Sequence, residues 1–320
     1  ETAAEHLIES HFNIGTMTAA HFKLPTLGSK LAGLQKELIK GRGFFVLRGL
    51  PVATYTERKA ATIFYGIGSH LGNVRSQDAA GNILGHVRNV GLNSADPNVR
   101  VYQTCERQTF HTDSSDVVGL LCLNPAQSGG ISLLISVETI YNEMLRIRPD
   151  LLQLLLEPIA TDRRGEIPEG TLPYMLIPVL SWYQNHLTPF YQRQYIESAQ
   201  RFPDAPRLTP AHIEALDFLD ALCNDSALHL SMTLERGDCQ FVYNHAMLHD
   251  RTEYVDFAEP EKRRHLLRLW LSVPGDRELP EVFASRFGSV VVGDRGGIVV
   301  PGAEFRVTWT DESRSDGSTF

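Results

Sequence analysis

The stretch Phe110-His111-Thr112-Asp113 decides how the rest of the chain is read, and one distant residue, His249, completes it. His111 and Asp113 stand two apart, so in an extended segment both side chains leave the same face and can converge on one point. Two imidazoles and a carboxylate on one side of a metal leave its other positions open, which is the facial arrangement of non-haem iron(II) sites. The neighbouring sequence places this group at strand ends. Residues 101–105 (V-Y-Q-T-C) and 117–123 (V-V-G-L-L-C-L) read as flanking strands, and Gly129-Gly130-Ile131-Ser132 opens another.

Composition narrows the classes of function. The 320 residues are 42% apolar, enough for a sizeable core, and nothing except the ends reads as disordered. Thirty Lys and Arg against 38 Asp and Glu give a net charge of −8, which argues against a nucleic-acid binder. An anionic ligand therefore needs a dedicated cationic pocket. Cys105, Cys122, Cys223 and Cys239 show no C-x-x-C spacing, so free thiols are expected. No apolar run reaches the length of a membrane span, and no basic-then-apolar signal follows Glu1, so a cytoplasmic location is the default expectation.

Along the chain, Leu31, Leu34 and Leu38 recur at helical spacing until Gly41 and Gly43, and a continuous apolar strand, residues 43–49, follows. Thr54-Tyr55-Thr56-Glu57 has capping-box form and predicts a helix towards Leu71. Residues 73–100 are polar and rich in Gly and Asn, as a long surface connection would be. Residues 137–157 turn helical. Residues 160–206 carry scattered Pro and aromatics with no long period, as a lid-like insertion would. Thr209-Pro210 opens a further helix, and residues 239–245 read as a strand. With no repeat, linker or shift of composition, a single domain is expected. Strands with a few covering helices and no βαβ alternation favour a mainly β fold, an antiparallel jelly roll or cupin-like double-stranded β-helix with flanking helices.

The stretch Arg263-Arg264-His265-Leu266-Leu267-Arg268-Leu269-Trp270-Leu271 has two faces at period two. His265, Leu267, Leu269 and Leu271 form a nearly apolar face that must pack against something. Arg264, Leu266, Arg268 and Trp270 form the other, which then looks into the barrel, where an unpaired guanidinium is expensive. Arginine there implies an anion, and its planar fork matches a carboxylate with two parallel hydrogen bonds.

Taken in order, His111-x-Asp113, Gly129-Gly130-x-Ser132, Asn244 with His249 five residues on, and Arg264 fifteen residues beyond His249 resemble the taurine dioxygenase/TfdA-type iron(II) and 2-oxoglutarate-dependent oxygenases. Residues 43–50, G-F-F-V-L-R-G-L, resemble that family's N-terminal strand, so the resemblance spans about residues 40–275. It implies that His111, Asp113 and His249 bind iron(II), and that Arg264 pairs with the distal carboxylate of 2-oxoglutarate with help from the Ser132 hydroxyl. Arg268 falls where taurine dioxygenase holds its substrate's anionic group. The implied chemistry consumes dioxygen and 2-oxoglutarate, releases succinate and carbon dioxide, and oxidises an unactivated C–H bond of a small polar molecule, usually by hydroxylation; the position of Arg268 points to an anionic one. Relatives of this kind are commonly dimers or tetramers, so self-association is a further expectation.

His245 competes with His249 as third ligand, and only the family spacing from Asn244 favours His249. Tyr102, Gln103 and Ser114, with Ser115 and Asp116, lie near the ligands in sequence and are candidates to touch substrate. Each residue alone has an ordinary role: an Asx turn for Asp113, surface charge for Arg264 beside Lys262 and Arg263. A zinc hydrolase on a cupin-like barrel and a non-catalytic 2-oxoglutarate-binding protein are the competing functions. The zinc reading gives Arg264 nothing to do.

Overall fold

The two longest strands, Val117–Asn124 and His265–Ser272, pair antiparallel in the middle of a sheet, as their apolar runs require. The computed structural model describes residues 1–93, 99–300 and 302–309. The first sheet runs Phe44–Leu47, Cys239–Tyr243, Val117–Asn124, His265–Ser272 and Asn73–Arg75, with Gly85–Val87 also paired to His265–Ser272. A second sheet runs Leu230–Met232, Ser132–Ser136, Met247–Arg251 and Gln108–His111. Gln108–His111 lies in the second sheet, Val117–Asn124 in the first and Ser132–Ser136 in the second. After a helical excursion the alternation resumes through Cys239–Tyr243, Met247–Arg251 and His265–Ser272. That winding is the double-stranded β-helix expected from the sequence.

Apolar side chains from both sheets, among them Val118 and Val242 from the first and Leu134 and Met247 from the second, pack together between them. Outside the first sheet, helices Gly28–Lys40 and Glu57–Ser69 bury Leu31, Leu38, Phe64 and Ile67 against Phe241, Leu267, Leu269 and Leu271. The apolar face of the 265–272 strand thus packs on helices, and its other face is free to look inward. Outside the second sheet, helices Val137–Ile147, Pro149–Leu155 and Pro210–Asn224 cover Phe110, Leu133, Ile135 and Leu248. Gly66 is required where the Glu57–Ser69 helix meets Phe22, because a Cβ there would stand 2.3 Å from the ring.

Several local readings are corrected. Residues 101–105 form no strand: Val101–Gln103 is one 3-10 turn, closed by the Gln103 side chain, which accepts from the Arg100 N–H. The single helix expected over 137–157 is broken at Arg148, because Pro149 pushes the preceding residue out of helical conformation, here to φ −140. Thr56, not Thr54, caps the Glu57–Ser69 helix and accepts from the Lys59 N–H. The strand within residues 43–49 is not covered on both faces, since Phe44–Leu47 pairs only with Cys239–Tyr243 and is half-buried. Residues 73–93 are more than a surface connection: they add two edge strands and bury Ile83 and Leu84; residues 94–98 lie outside the described residues. Residues 160–206 hide their periodicity in short pieces, chiefly the Pro158–Asp162/Tyr174–Pro178 pair, the Leu180–Tyr183/His186–Pro189 hairpin and helix Arg193–Ala199. The four cysteines are free thiols, and no helix of the described residues is long and apolar enough to cross a membrane.

A buried charge network fastens the later chain to the sheets. Asp116 accepts from His245 Nε2 at 2.8 Å, from Arg295 Nε at 2.7 Å and from the Val273 N–H at 2.8 Å. Arg295 also donates to Asp276 at 2.9 Å, so one guanidinium supplies the positive charge between two carboxylates. Burial pushes the Asp116 carboxyl up, but the His245 bond, Arg295 and the Val273 N–H outweigh it and hold it below the usual range. A depressed carboxyl contributes stability that is present above the unfolded-state value, about 3.9, and is lost as pH falls through the folded value. Asp116→Asn should therefore lower the unfolding free energy at neutral pH by about 3–5 kcal/mol and flatten its decline below about pH 4. Chemical denaturation from pH 7 to pH 3 checks this; an unchanged acid limb would refute the role given to Asp116.

Candidate metal centre

His111 and His249 meet because they are cross-strand partners. Strands Gln108–His111 and Met247–Arg251 run antiparallel with these two residues opposite each other, which sets their Cβ atoms about 4.5–5.5 Å apart. Their ring centroids lie 4.1 Å apart. The register shifts between His249 and Arg251, which pairs with Gln108, so the ladder is irregular beside the site. Asp113 follows where the chain leaves the second sheet for the first. Its carboxylate oxygens lie 4.0 Å from His111 Nε2 and 3.8 Å from His249 Nε2, and one ligand atom from each residue falls within 4.8 Å of the others.

Distant parts of the chain hold this geometry. The Asp113 N–H donates to Asn244 Oδ1 at 3.0 Å, and Asn244 Nδ2 donates to the Ser115 carbonyl at 2.9 Å. Trp270 Nε1 donates to Asp113 Oδ2 at 3.0 Å. His111 Nδ1 lies 2.8 Å from the Thr109 carbonyl, which only accepts; the proton therefore sits on Nδ1, and Nε2, which accepts from the Gln108 amide at 2.9 Å, is the nitrogen left to bind a metal. Burial lowers the His111 pKa, and burial with the neighbouring His111 pushes His249 down to about 3, so both rings are neutral at physiological pH. Burial pushes the Asp113 carboxyl up, but the Arg268 charge and the Trp270 indole work against it, and the carboxyl is held below its usual range. Two neutral imidazoles and one carboxylate on one side of a point fit iron(II). His245 takes no part: it lies in the Asp116 network.

The three residues stand between two cavities. The inner one is narrow and reaches from His111, Asp113 and His249 to Ser132, Arg251 and Arg264. Arg264 is buried, its Nη1 has no hydrogen-bond acceptor among the described residues, and its guanidinium lies 4.9 Å from the Tyr254 ring. Gly130, at φ +66, leaves it room, since a Cβ there would stand 3.0 Å from Arg264 Nε. A buried guanidinium with an unused donor fits a carboxylate end of 2-oxoglutarate. Ser132 lines the same cavity, its Oγ donating to Gln240 Oε1 at 3.0 Å.

The outer cavity is wider and is lined by Tyr102, Gln103, Ser114 and Arg268 together with His111 and Asp113. Arg268 donates to Gln77 Oε1 at 2.7 Å, lies 3.8 Å from the Asp113 carboxylate, and sits over the rings of Tyr102 and Trp270 at 4.6 and 4.8 Å. Every residue singled out from the sequence, except the competitor His245 and the pair Ser115 and Asp116, therefore borders one of the two cavities. Sequence reasoning missed Arg251, Trp270 and Gln77 as parts of the site. Arg251 was within reach of the same period-two rule, standing two residues after His249; Gln77 carries no local signal.

Residues 9–270 match the family model described as taurine catabolism dioxygenase TauD, TfdA family. The chain is 30% identical over 289 residues to FR-33289 synthase of Streptomyces rubellomurinus, covering 87% of this chain and 83% of that protein. It is 33% identical over 265 residues to the taurine hydroxylase-like protein SAT17 of Stachybotrys chartarum, covering 80% and 67%. Among solved structures it shares its fold with an asparagine oxygenase in complex with Fe(II), 2S,3S-3-hydroxyasparagine and succinate, at a TM-score of 0.62 and 20% identity over 85% of this chain and 91% of that one. The chain belongs to the TauD/TfdA family and is an iron(II)- and 2-oxoglutarate-dependent dioxygenase.

Proposed function

We propose that His111, Asp113 and His249 hold the iron, that Arg264 grips the distal carboxylate of 2-oxoglutarate, and that the enzyme hydroxylates a C–H bond of a small polar, anionic molecule. The observation that carries this reading is the cross-strand histidine pair facing Asp113, with a buried guanidinium whose Nη1 has no acceptor among the described residues lining the same inner cavity. Iron(II), 2-oxoglutarate and dioxygen together supply an oxidant strong enough for an unactivated C–H bond, while 2-oxoglutarate is converted to succinate and carbon dioxide. The asparagine oxygenase, crystallised with a hydroxylated amino acid and succinate, supports hydroxylation of a small molecule as the outcome.

The chain's own residues have definable tasks in this reaction. Neutral imidazoles offer lone pairs to a metal without first losing a proton. The Trp270 indole and the Asn244 amide fix the direction in which Asp113 presents its carboxylate. Arg264 and Ser132 orient the cosubstrate from the far end of the inner cavity. Tyr102, Gln103, Ser114 and Arg268 face the substrate from the outer one. On this reading the chain is one domain, and residues 160–206 cover the outer cavity; the presence of Arg164, Glu166, Phe190 and Tyr195 in its wall supports that role.

Succinate should form only when iron(II), dioxygen and 2-oxoglutarate are all supplied; zinc should not replace iron. His249→Ala should abolish turnover, and turnover that survives intact would contradict the ligand assignment. Arg264→Ala should weaken 2-oxoglutarate binding by about 2–5 kcal/mol, as truncation of a buried charge pair does, and leave metal binding in place. Trp270→Phe, which removes one hydrogen bond to a ligand, should lower iron(II) affinity about 10- to 100-fold in an anaerobic titration; an unchanged affinity would show that the indole does not orient Asp113.

A further inference from the structure

One part of the outer cavity's wall gathers several guanidinium groups about a single glutamate. Arg100, Arg164 and Arg286 all line it, with Glu166 among them. Glu166 takes Arg100 at 2.5 Å on one oxygen and Arg286 at 2.9 Å on the other. Both of its oxygens are therefore engaged, and among the described residues Arg164 makes no ion pair. The Arg164 guanidinium reaches only the Val99 carbonyl, at 3.4 Å, and its buried Nε has no acceptor among the described residues. The other acids nearby are committed elsewhere. Asp162 accepts from Ser198 and from the Arg164 backbone N–H and pairs with Arg201, and Asp78 accepts within its own turn from Ala80 and Asn82. Arg268, the fourth arginine of the cavity, faces Asp113.

Three guanidinium groups around the Glu166 carboxylate leave at least one of them without an ion pair among the described residues, in a partly buried pocket. Such a charge is expensive in the absence of an anion. The group is also tied to the reacting centre, because Arg286 Nε donates at 2.7 Å to the Ser114 hydroxyl, directly after Asp113. Arg100 Nη1 donates to the Tyr195 hydroxyl at 2.6 Å, and the Arg164 guanidinium lies 5.4 Å from the centre of the same ring, so both arginines share one aromatic neighbour. Forked donors in several directions suit a tetrahedral oxyanion, whose oxygens can each take a charge-assisted bond.

We infer that Arg100, Arg164 and Arg286, arranged about Glu166, form a subsite for a doubly charged phosphate-class group carried by the substrate. This rests on the oxygenase reading above and deepens it: the substrate is held by its dianion at the outer wall while its carbon chain extends towards the metal centre. Glu166 sets the charge of the subsite, since it already occupies two of the three guanidinium groups.

The test is calorimetric titration at pH 8, where a phosphate monoester is dianionic. Methyl phosphate, inorganic phosphate and methanesulfonate are each added to protein loaded anaerobically with iron(II) and 2-oxoglutarate, and the visible absorption of the iron–cosubstrate chelate is recorded in every sample. Methyl phosphate should bind about tenfold or more tightly than the monoanionic methanesulfonate, and at least as tightly as inorganic phosphate. Arg164→Gln and Arg286→Gln should each weaken methyl phosphate binding about tenfold or more. Glu166→Gln should tighten it, a change that loss of folding would not produce. Equal binding of methyl phosphate and methanesulfonate, silent arginine variants, weaker binding in Glu166→Gln, or a preference for inorganic phosphate would each overturn the subsite. If the chelate absorption fails to form while methyl phosphate still binds through Arg164 and Arg286, the subsite stands and the iron assignment falls.

Discussion

The pairing of His111 with His249 across two antiparallel strands is the constraint on which the site depends. A backbone ladder, not a loop, fixes the distance between the two imidazoles, so their approach is specified by register. A slip of one residue would turn both rings onto the helix-covered face and expose Phe110 and Leu248 to the inner space. The hydrophobic layer behind the second sheet thereby protects the geometry in front of it. Packing around Phe110, Leu133 and Leu248 and the position of the two imidazoles are two consequences of one alternation.

The first sheet supplies what the histidines lack. Its strand His265–Ser272 buries Leu267, Leu269 and Leu271 against helices and turns Arg268 and Trp270 towards Asp113. Arg264, just before the strand, reaches the inner cavity. Anion-holding groups and the support of the third ligand thus come from the same eight-residue strand and its entry. The chain separates the two electrostatic tasks by distance: Arg264 faces an inner cavity suited to a carboxylate end, and the arginines around Glu166 face the outer one. The charge network of Asp116, His245, Arg295 and Asp276 belongs to neither. It fastens the C-terminal segment, which in turn delivers Arg286 and the Gly297 N–H to Ser114.

Wherever a period of two was uninterrupted, the sequence was legible. Alternation alone puts Leu267, Leu269 and Leu271 on the helix-covered face of residues 264–271, whereas Asp113 converges with His111 from just beyond the strand Gln108–His111. Choosing His249 over His245 needed the family spacing, since both sit on the same parity; the turn at Asn244 and His245 is what sends them to different places. Legibility failed where a side chain replaces backbone pairing, as at Gln103, and where short strands interrupt one another, as in residues 160–206. It also failed for contacts between distant segments. Asn244 meets the Asp113 N–H across 131 residues, Trp270 meets the carboxylate across 157, and Arg286 meets Glu166 across 120, and none of these leaves a local pattern.

The central claim is a place: one metal ion bounded by three side chains, with a keto-diacid lying between it and Arg264. Anomalous X-ray diffraction at the iron edge, on crystals soaked anaerobically with iron(II) and 2-oxoglutarate, tests it most directly. The account requires one dominant iron peak touching His111 Nε2, His249 Nε2 and the Asp113 carboxylate, with the cosubstrate's free carboxylate against the Arg264 guanidinium. Iron bound among Asp116, His245 and Asp276 instead, or a cosubstrate carboxylate that does not reach Arg264, would contradict it.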